Sequence, residues 1–156
     1  MNRRTTLVLT FFGLAIAVLP KPAIAQAATP DGIFQLNVAK SKYNPGPAPK
    51  SATLNYQAAD KVTSVGFDAN GNPFTTVFTV VGDGKSRPVM GSANYDATAY
   101  TQVDPYTLSI SRTKAGKVVE TGSRTVSQDG KTVTITAIGT DGNGRPYNNV
   151  LVYEKQ

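Results

Sequence analysis

The chain has 156 residues, no cysteine, no histidine and a formal net charge of +6. Without these two residue types, disulfides, the commonest zinc ligands and the Ser-His-Asp and Cys-His catalytic arrangements are excluded. The positive charge does not indicate a nucleic-acid-binding protein, because the basic residues are scattered singly between threonines and glycines and form no basic stripe.

Residues 1–25 have the features of a signal peptide. Two arginines near the start precede an apolar run over residues 7–19, which is too short to span a bilayer comfortably. Small residues then supply cleavage sites after Ala25 or Ala27. We therefore expect a periplasmic or secreted protein with no stable membrane insertion after cleavage.

The remaining chain has the length of one domain. Loss of the leader removes three of the 16 basic residues and leaves 13 against 10 acidic ones, a net charge of +3. We expect a flexible tail over residues 26–30 and a single β-barrel domain over residues 31–156. A domain of this size can bury enough apolar surface to fold without disulfides.

The folded part opens with a stretch unlike the rest. Residues 33–36 are apolar-rich and predict a first strand. Asn37 then predicts the cap of a short helical turn over residues 38–42, because its side chain can accept from backbone N–H groups two or three residues on. The prolines of residues 45–49 fix φ and remove N–H donors. They predict a stiff, extended strap that leads into a strand at Ser51.

The rest of the chain repeats one pattern. Runs of seven to ten residues are rich in threonine, aromatic and branched apolar residues. Within most of these runs apolar and polar residues alternate, which is typical of strands with one inward face. Residues 74–81 are apolar enough to suggest a strand buried on both faces. Five clusters rich in Gly, Asn and Asp separate these runs and supply the positive φ that hairpins need: residues 68–73, 82–85, 114–117, 128–131 and 141–146.

This pattern predicts an all-β fold, an antiparallel up-and-down meander of about nine or ten strands. An open meander leaves two exposed edges, whereas closure into an up-and-down barrel pairs the first strand with the last. A β-sandwich is the alternative.

Both ends of the domain resemble known β-barrel proteins. The opening GIFQL of residues 32–36, followed by Tyr43, resembles the G-x-W-K-L…F opening of the calycins. Residues 150–155, VLVYEK, resemble the T-R-V-Y-E-K last strand of the fatty-acid-binding proteins. Most of the chain also resembles secreted bacterial proteins that open G-T-W-K-L-N-x-A-K-S-K and continue P-G-P-x-P-K-S. These resemblances imply a lipocalin-like barrel, and the last one brings no activity with it.

The sequence also departs from these patterns. Phe34 stands where calycins have tryptophan, and the strap replaces the helical lid of the fatty-acid-binding branch. Leu151 stands where that branch has the arginine that binds a carboxylate, although Tyr153 is retained.

Glu120 and Arg124 are the first candidates for a ligand site. They lie four apart in a predicted strand and therefore share one face. If that face is inward, Arg124 can orient an anionic or polar ligand with the help of Tyr153. If it is outward, which is the usual place for charged residues, the pair is solvated and contributes little. Tyr100 and Tyr106 are further candidates for contact with a ligand ring.

The sequence therefore predicts a non-catalytic protein that binds a small hydrophobic or amphipathic molecule, without cofactor or metal. Two Asp-x-Asn-Gly fragments, at Asp68 and Asp141, loosely resemble calcium loops but lack the distant glutamate and predict turns. A scaffold that contacts other envelope components is the alternative, and a carbohydrate-binding module that stacks sugars on tyrosines is a weaker one.

Overall fold

The computed structural model describes residues 28–57 and 60–156. The expected leader and both cleavage sites lie outside the described residues. Ala28 and Pro30, in the segment expected to be a flexible tail, contact the barrel. The Ala28 N–H donates to the Pro105 carbonyl at 2.6 Å, and Pro30 is buried.

Ten strands make up the described domain. After β1 (Gly32–Leu36), a single 3-10 turn covers Val38–Lys40, and the Asn37 side chain accepts from the Lys40 N–H as the sequence predicted. The other strands are β2 (Ser51–Tyr56), β3 (Lys61–Phe67), β4 (Pro73–Thr79), β5 (Arg87–Pro88), β6 (Ala97–Gln102), β7 (Thr107–Lys114), β8 (Lys117–Val126), β9 (Thr132–Thr140) and β10 (Pro146–Lys155).

The strands form one antiparallel sheet in the order β4-β3-β2-β1-β10-β9-β8-β7-β6-β5. The first strand pairs with the last, with Phe34 opposite Lys155 and Leu36 opposite Tyr153. At the remaining seam, Val77 of β4 and Met90 exchange two backbone hydrogen bonds of 2.9 and 3.0 Å. The result is a nearly closed up-and-down barrel, which confirms the predicted fold class and removes the sandwich alternative.

The five predicted turn clusters hold the glycines with the required backbone. Each cluster contains one glycine with a φ between +69° and +90°: Gly71, Gly84, Gly116, Gly130 and Gly144. Four of the five clusters join neighbouring strands, and residues 82–85 follow β4. Turn chemistry therefore sets where the strands end.

The barrel interior differs between its two ends. We call the end where β1 finishes the upper end, because the 3-10 turn and the proline strap lie there, and the opposite end the lower end. The lower end is filled by side chains that are at most 2% exposed: Phe34, Val62, Leu108, Val126 and Val133. The Phe34 and Tyr56 rings meet edge to face, 5.6 Å apart. This is the hydrophobic core that holds the sheet closed.

Strand β4 is buried on one face only, contrary to the expectation for residues 74–81. Thr76 and Phe78 point inward and are buried, whereas Thr75 is exposed and Val77 is half-buried on the outside. A single-layer barrel has only one inner face, so an apolar run cannot bury both sides.

Among the residues that the structure describes, no helix has the length and apolar character needed to cross a membrane.

Candidate ligand-binding cavity

The upper half of the barrel contains a cavity of about 550 Å³ that opens to solvent. Inward side chains of β2, β4, β9 and β10 form its walls, because each of these strands alternates inward and outward residues. Near the mouth it is lined by Asp68 and Asn70 of the β3–β4 turn and by Asp141 and Arg145 of the β9–β10 turn. Its volume falls within the range of pockets that bind single small molecules.

The proline strap covers one side of this cavity. Pro45, Pro47 and Pro49 all line it. The start of the strap is fixed to β10, since Lys42 and Val150 exchange hydrogen bonds of 2.7 and 2.8 Å and the Asn148 N–H donates to the Asn44 carbonyl at 2.6 Å. The strap therefore supplies flat apolar ring faces that need no hydrogen-bond partner from a ligand.

Aromatic side chains supply much of the remaining apolar wall. Tyr43 lies beside the strap, Phe74 and Phe78 come from β4, and Tyr153 comes from β10. Tyr153 is 4% exposed, and burial raises the pKa of its hydroxyl above the ordinary range. Together these rings give a ligand a large apolar contact surface.

A polar cluster interrupts this apolar wall on one side. Arg112 of β7 and Glu120 of β8 are directly opposite in the sheet register, and the Arg112 Nη1 donates to Glu120 Oε1. Their side chains are only 11% and 6% exposed. The guanidinium of Arg112 lies over the Tyr95 ring, 4.6 Å from its centroid. The cluster thus pairs a buried cation with a buried anion and an aromatic face.

Tyr147 of β10 completes the polar cluster across a glycine. Its hydroxyl donates to Glu120 Oε2, and burial together with this hydrogen bond raises its pKa above the ordinary range. Gly139 of β9 lies opposite both Glu120 and Tyr147 in the register. A Cβ at position 139 would collide with the Val119 carbonyl oxygen and would lie 2.9 Å from the Tyr147 hydroxyl. The missing side chain therefore leaves the space that the tyrosine uses to reach over β9.

The five sequence-predicted site residues do not form one group. Glu120 and Tyr153 line the cavity. Tyr100 is 3% exposed and lies outside the lining, and Tyr106 precedes β7 at the lower end, where it is 38% exposed. Their roles in ligand binding stay predictions.

Arg124 faces inward and is 2% exposed, so the outward orientation expected as the usual one is wrong. The alternation of β8 decides this, because Glu120, Arg124 and Val126 are all buried. Nor does Arg124 pair with Glu120, whose partner is Arg112. Its Nη2 donates to the Ala28 carbonyl at 2.9 Å, while Nε and Nη1 are buried without a partner among the described residues.

The sequence reasoning missed the partners of Glu120. Arg112 continues the inward alternation of Leu108 and Ile110 on β7, and this periodicity was the available signal. Tyr147 likewise shares the parity of Leu151 and Tyr153 on β10. Spacing along one strand cannot show that three strands bring these side chains together.

The two Asp-x-Asn-Gly fragments act as turns. Asp68 accepts from the N–H groups of Asn70 and Asn72, both at 2.8 Å, and Asp141 accepts from Asn143 and Arg145 at 2.8 and 2.9 Å. Such bonds lower the pKa of both carboxyl groups. Over residues 28–57 and 60–156, no three acidic side chains gather as a metal site would require.

Comparison with known proteins gives a similarity to solved structures only. No protein-family model and no curated protein matches the sequence. Among solved structures, the chain is similar to the zebrafish ileal bile acid-binding protein, crystallised in complex with cholic acid. The two are 14% identical with a TM-score of 0.47, and the match covers 81% of this chain and 97% of that one.

Proposed function

We propose that this protein binds one small amphipathic molecule inside its barrel and does not transform it. The observation that carries the proposal is the 550 Å³ cavity, which has aromatic and proline rings in its wall, a buried polar cluster on one side and polar turn residues at its mouth. Sites for small molecules have this composition, since the apolar wall supplies affinity and a few polar groups fix orientation.

The competing functions find less support. A pure scaffold requires a barrel filled throughout by side chains, and only the lower half is filled in this way. A sugar platform requires Tyr95, Tyr100 and Tyr106 on one exposed surface, yet Tyr100 is 3% exposed and Tyr106 lies at the lower end. Hydrolysis by two carboxylates is disfavoured because Asp68 and Asp141 are engaged in turns.

We also propose that binding takes place outside the cytoplasm. The support is the pattern of residues 1–25, a basic start, a short apolar run and small residues at a cleavage position. A carrier in that compartment must fold without disulfides here, since the chain has no cysteine.

Fluorescence titration with N-phenyl-1-naphthylamine, a neutral apolar probe, tests the function. We expect one probe molecule per chain with micromolar affinity. Ala137→Phe places a ring in the cavity from a position that is 4% exposed and lines it, so we expect at least tenfold weaker binding. Ala99, on the outward face of β6, provides the matched control Ala99→Phe. No probe binding, or binding unaffected by Ala137→Phe, would contradict the proposal.

A further inference from the structure

The charges in the cavity wall cancel one another. Arg112 and Glu120 form an ion pair that is almost fully buried. Glu120 also accepts from the Tyr147 hydroxyl, and the face of Arg112 is covered by Tyr95. The other cation among the lining residues, Arg145, pairs with Asp141. A ligand that enters therefore meets no unpaired cation among the described lining residues.

This arrangement determines for which ligands transfer from water into the cavity is favourable. A carboxylate that reaches Arg112 also comes close to Glu120, so repulsion offsets part of the attraction. The desolvation cost of the carboxylate is then poorly compensated, because burial of an ion is favourable only when a counter-charge is available, and Arg112 is already paired.

Arg124 does not reverse this balance. It lies four residues from Glu120 along β8, a separation of about 13 Å along the strand. By Coulomb's law its attraction at that distance is roughly three times weaker than that of a charge at 4 Å. Arg124 is also absent from the cavity lining and already donates to the Ala28 carbonyl.

Glu120 retains capacity for further hydrogen bonds. A carboxylate offers about four acceptor positions, and the described contacts are one donor on each oxygen, Arg112 on Oε1 and Tyr147 on Oε2. An O–H or N–H group of a ligand can occupy a remaining position. Nε of Arg112, which is buried without a partner among the described residues, can donate to a ligand oxygen. The cluster is therefore suited to an uncharged group that both donates and accepts, such as a hydroxyl or an amide.

We propose that the cavity selects uncharged amphipathic molecules with a hydroxyl or amide N–H donor, and that Glu120 excludes carboxylic acids by holding Arg112 neutralised. This inference rests on the proposed function and names its ligand class. Glu120 is then the residue that determines specificity, through both its charge and its acceptor oxygens.

A matched pair of ligands tests this inference. 2-Naphthamide and 2-naphthoate share one ring system and nearly one shape, and they differ in charge at pH 7. We expect the amide to displace N-phenyl-1-naphthylamine at a concentration at least tenfold lower than the carboxylate. Equal or better displacement by 2-naphthoate would overturn the inference, whether or not any variant folds.

The variant Glu120→Gln distinguishes a role of Glu120 in ligand specificity from a purely structural role. The amide retains an oxygen for Tyr147 but no longer neutralises Arg112, so we expect the preference for 2-naphthamide to fall at least tenfold or to reverse. A merely structural role would weaken both ligands together and overturn the assignment. Glu154→Gln is the control, because Glu154 pairs with Lys40 at 2.5 Å outside the cavity lining.

The outcomes distinguish the two proposals. If the probe does not bind wild type, or binds equally to Ala137→Phe, the proposed function fails and the ligand class fails with it. If the probe binds in the cavity and 2-naphthoate competes as well as 2-naphthamide, only the inference about neutral ligands fails.

Discussion

Each half of the barrel buries an arginine, and the two arginines differ in whether a carboxylate pairs with them. In the upper half, Arg112 borders the cavity and is matched by Glu120, Tyr95 and the hydrogen bond that Tyr147 adds. In the lower half, Arg124 lies in the packed core, and no carboxylate of the described residues pairs with it. The upper half thus maintains a balanced polar group beside open space, and the lower half fills its space around a charge that is not balanced.

This difference shows that burial alone does not identify a binding residue. Arg124 is the more deeply buried of the two, yet its contacts are with the N-terminal segment through Ala28. Arg112 is less buried and reaches the cavity. The two arginines differ more in whether a carboxylate pairs with them than in how deeply they are buried.

Removal of each arginine gives the largest expected contrast. Arg112→Met leaves Glu120 buried without a cation, so we expect the free energy of unfolding to fall by about 3 kcal/mol or more. Arg124→Met removes a charge that has no ionic partner, and its apolar replacement should change stability by less than about 1 kcal/mol in either direction. Urea unfolding of both variants at pH 7 measures the difference. Equal losses would mean that Arg124 is balanced after all.

A pair of leucines compares packing in the two halves. Leu108 and Leu54 are 2% and 3% exposed, but only Leu54 lines the cavity. Leu108→Ala creates a new void in a filled core, with an expected loss of about 3 kcal/mol. Leu54→Ala enlarges a space that already exists, so we expect roughly half that loss. Chemical unfolding of the two variants measures this, and a larger loss for Leu54→Ala would contradict an open upper half.

The smallest expected effect concerns alkaline pH in the lower half. Burial raises the pKa of Tyr56 to about 12, although the charge of Arg124 lowers it. The unfolded chain releases this proton near pH 10 and the folded chain keeps it, so stability is fully present below pH 10 and falls as pH approaches 12. Between pH 9 and 11, wild type should lose about 1 kcal/mol more than Tyr56→Phe. Equal losses in urea unfolding would show that Tyr56 titrates normally.

The turns and strand pairing of the barrel could be predicted from the sequence better than the contacts within its candidate site. Asn37 and the turn glycines follow from local rules, because caps and positive φ act over a few residues. The pairing of β1 with β10 follows from topology, because a meander must close to remove its two exposed edges. Glu120 and Tyr153 line the cavity. Glu120 was named from its place in a strand pattern, and Tyr153 from the resemblance noted for residues 150–155. The partners of Glu120 were missed because the register of β7, β8 and β10 brings them together, and register is a property of the closed sheet.

The site also depends on a glycine, which has no side chain of its own to bind a ligand. Gly139 gives no motif in the sequence, yet its missing side chain lets Tyr147 reach Glu120. The contact of Ala28 with Arg124 could not be predicted either, since a short tail of mostly small residues gives no pattern that indicates docking. Such features arise from the assembled barrel and follow no local propensity.

Methyl NMR spectra recorded during titration with 2-naphthamide test the central claim most directly. The account predicts shifts for the methyl groups that line the cavity, Leu54, Ile135 and Leu151, and unchanged signals for Leu108, Val126 and Val133 in the lower core. Shifts confined to the lower core, or no shifts at a saturating concentration, would contradict a barrel that is open above and filled below.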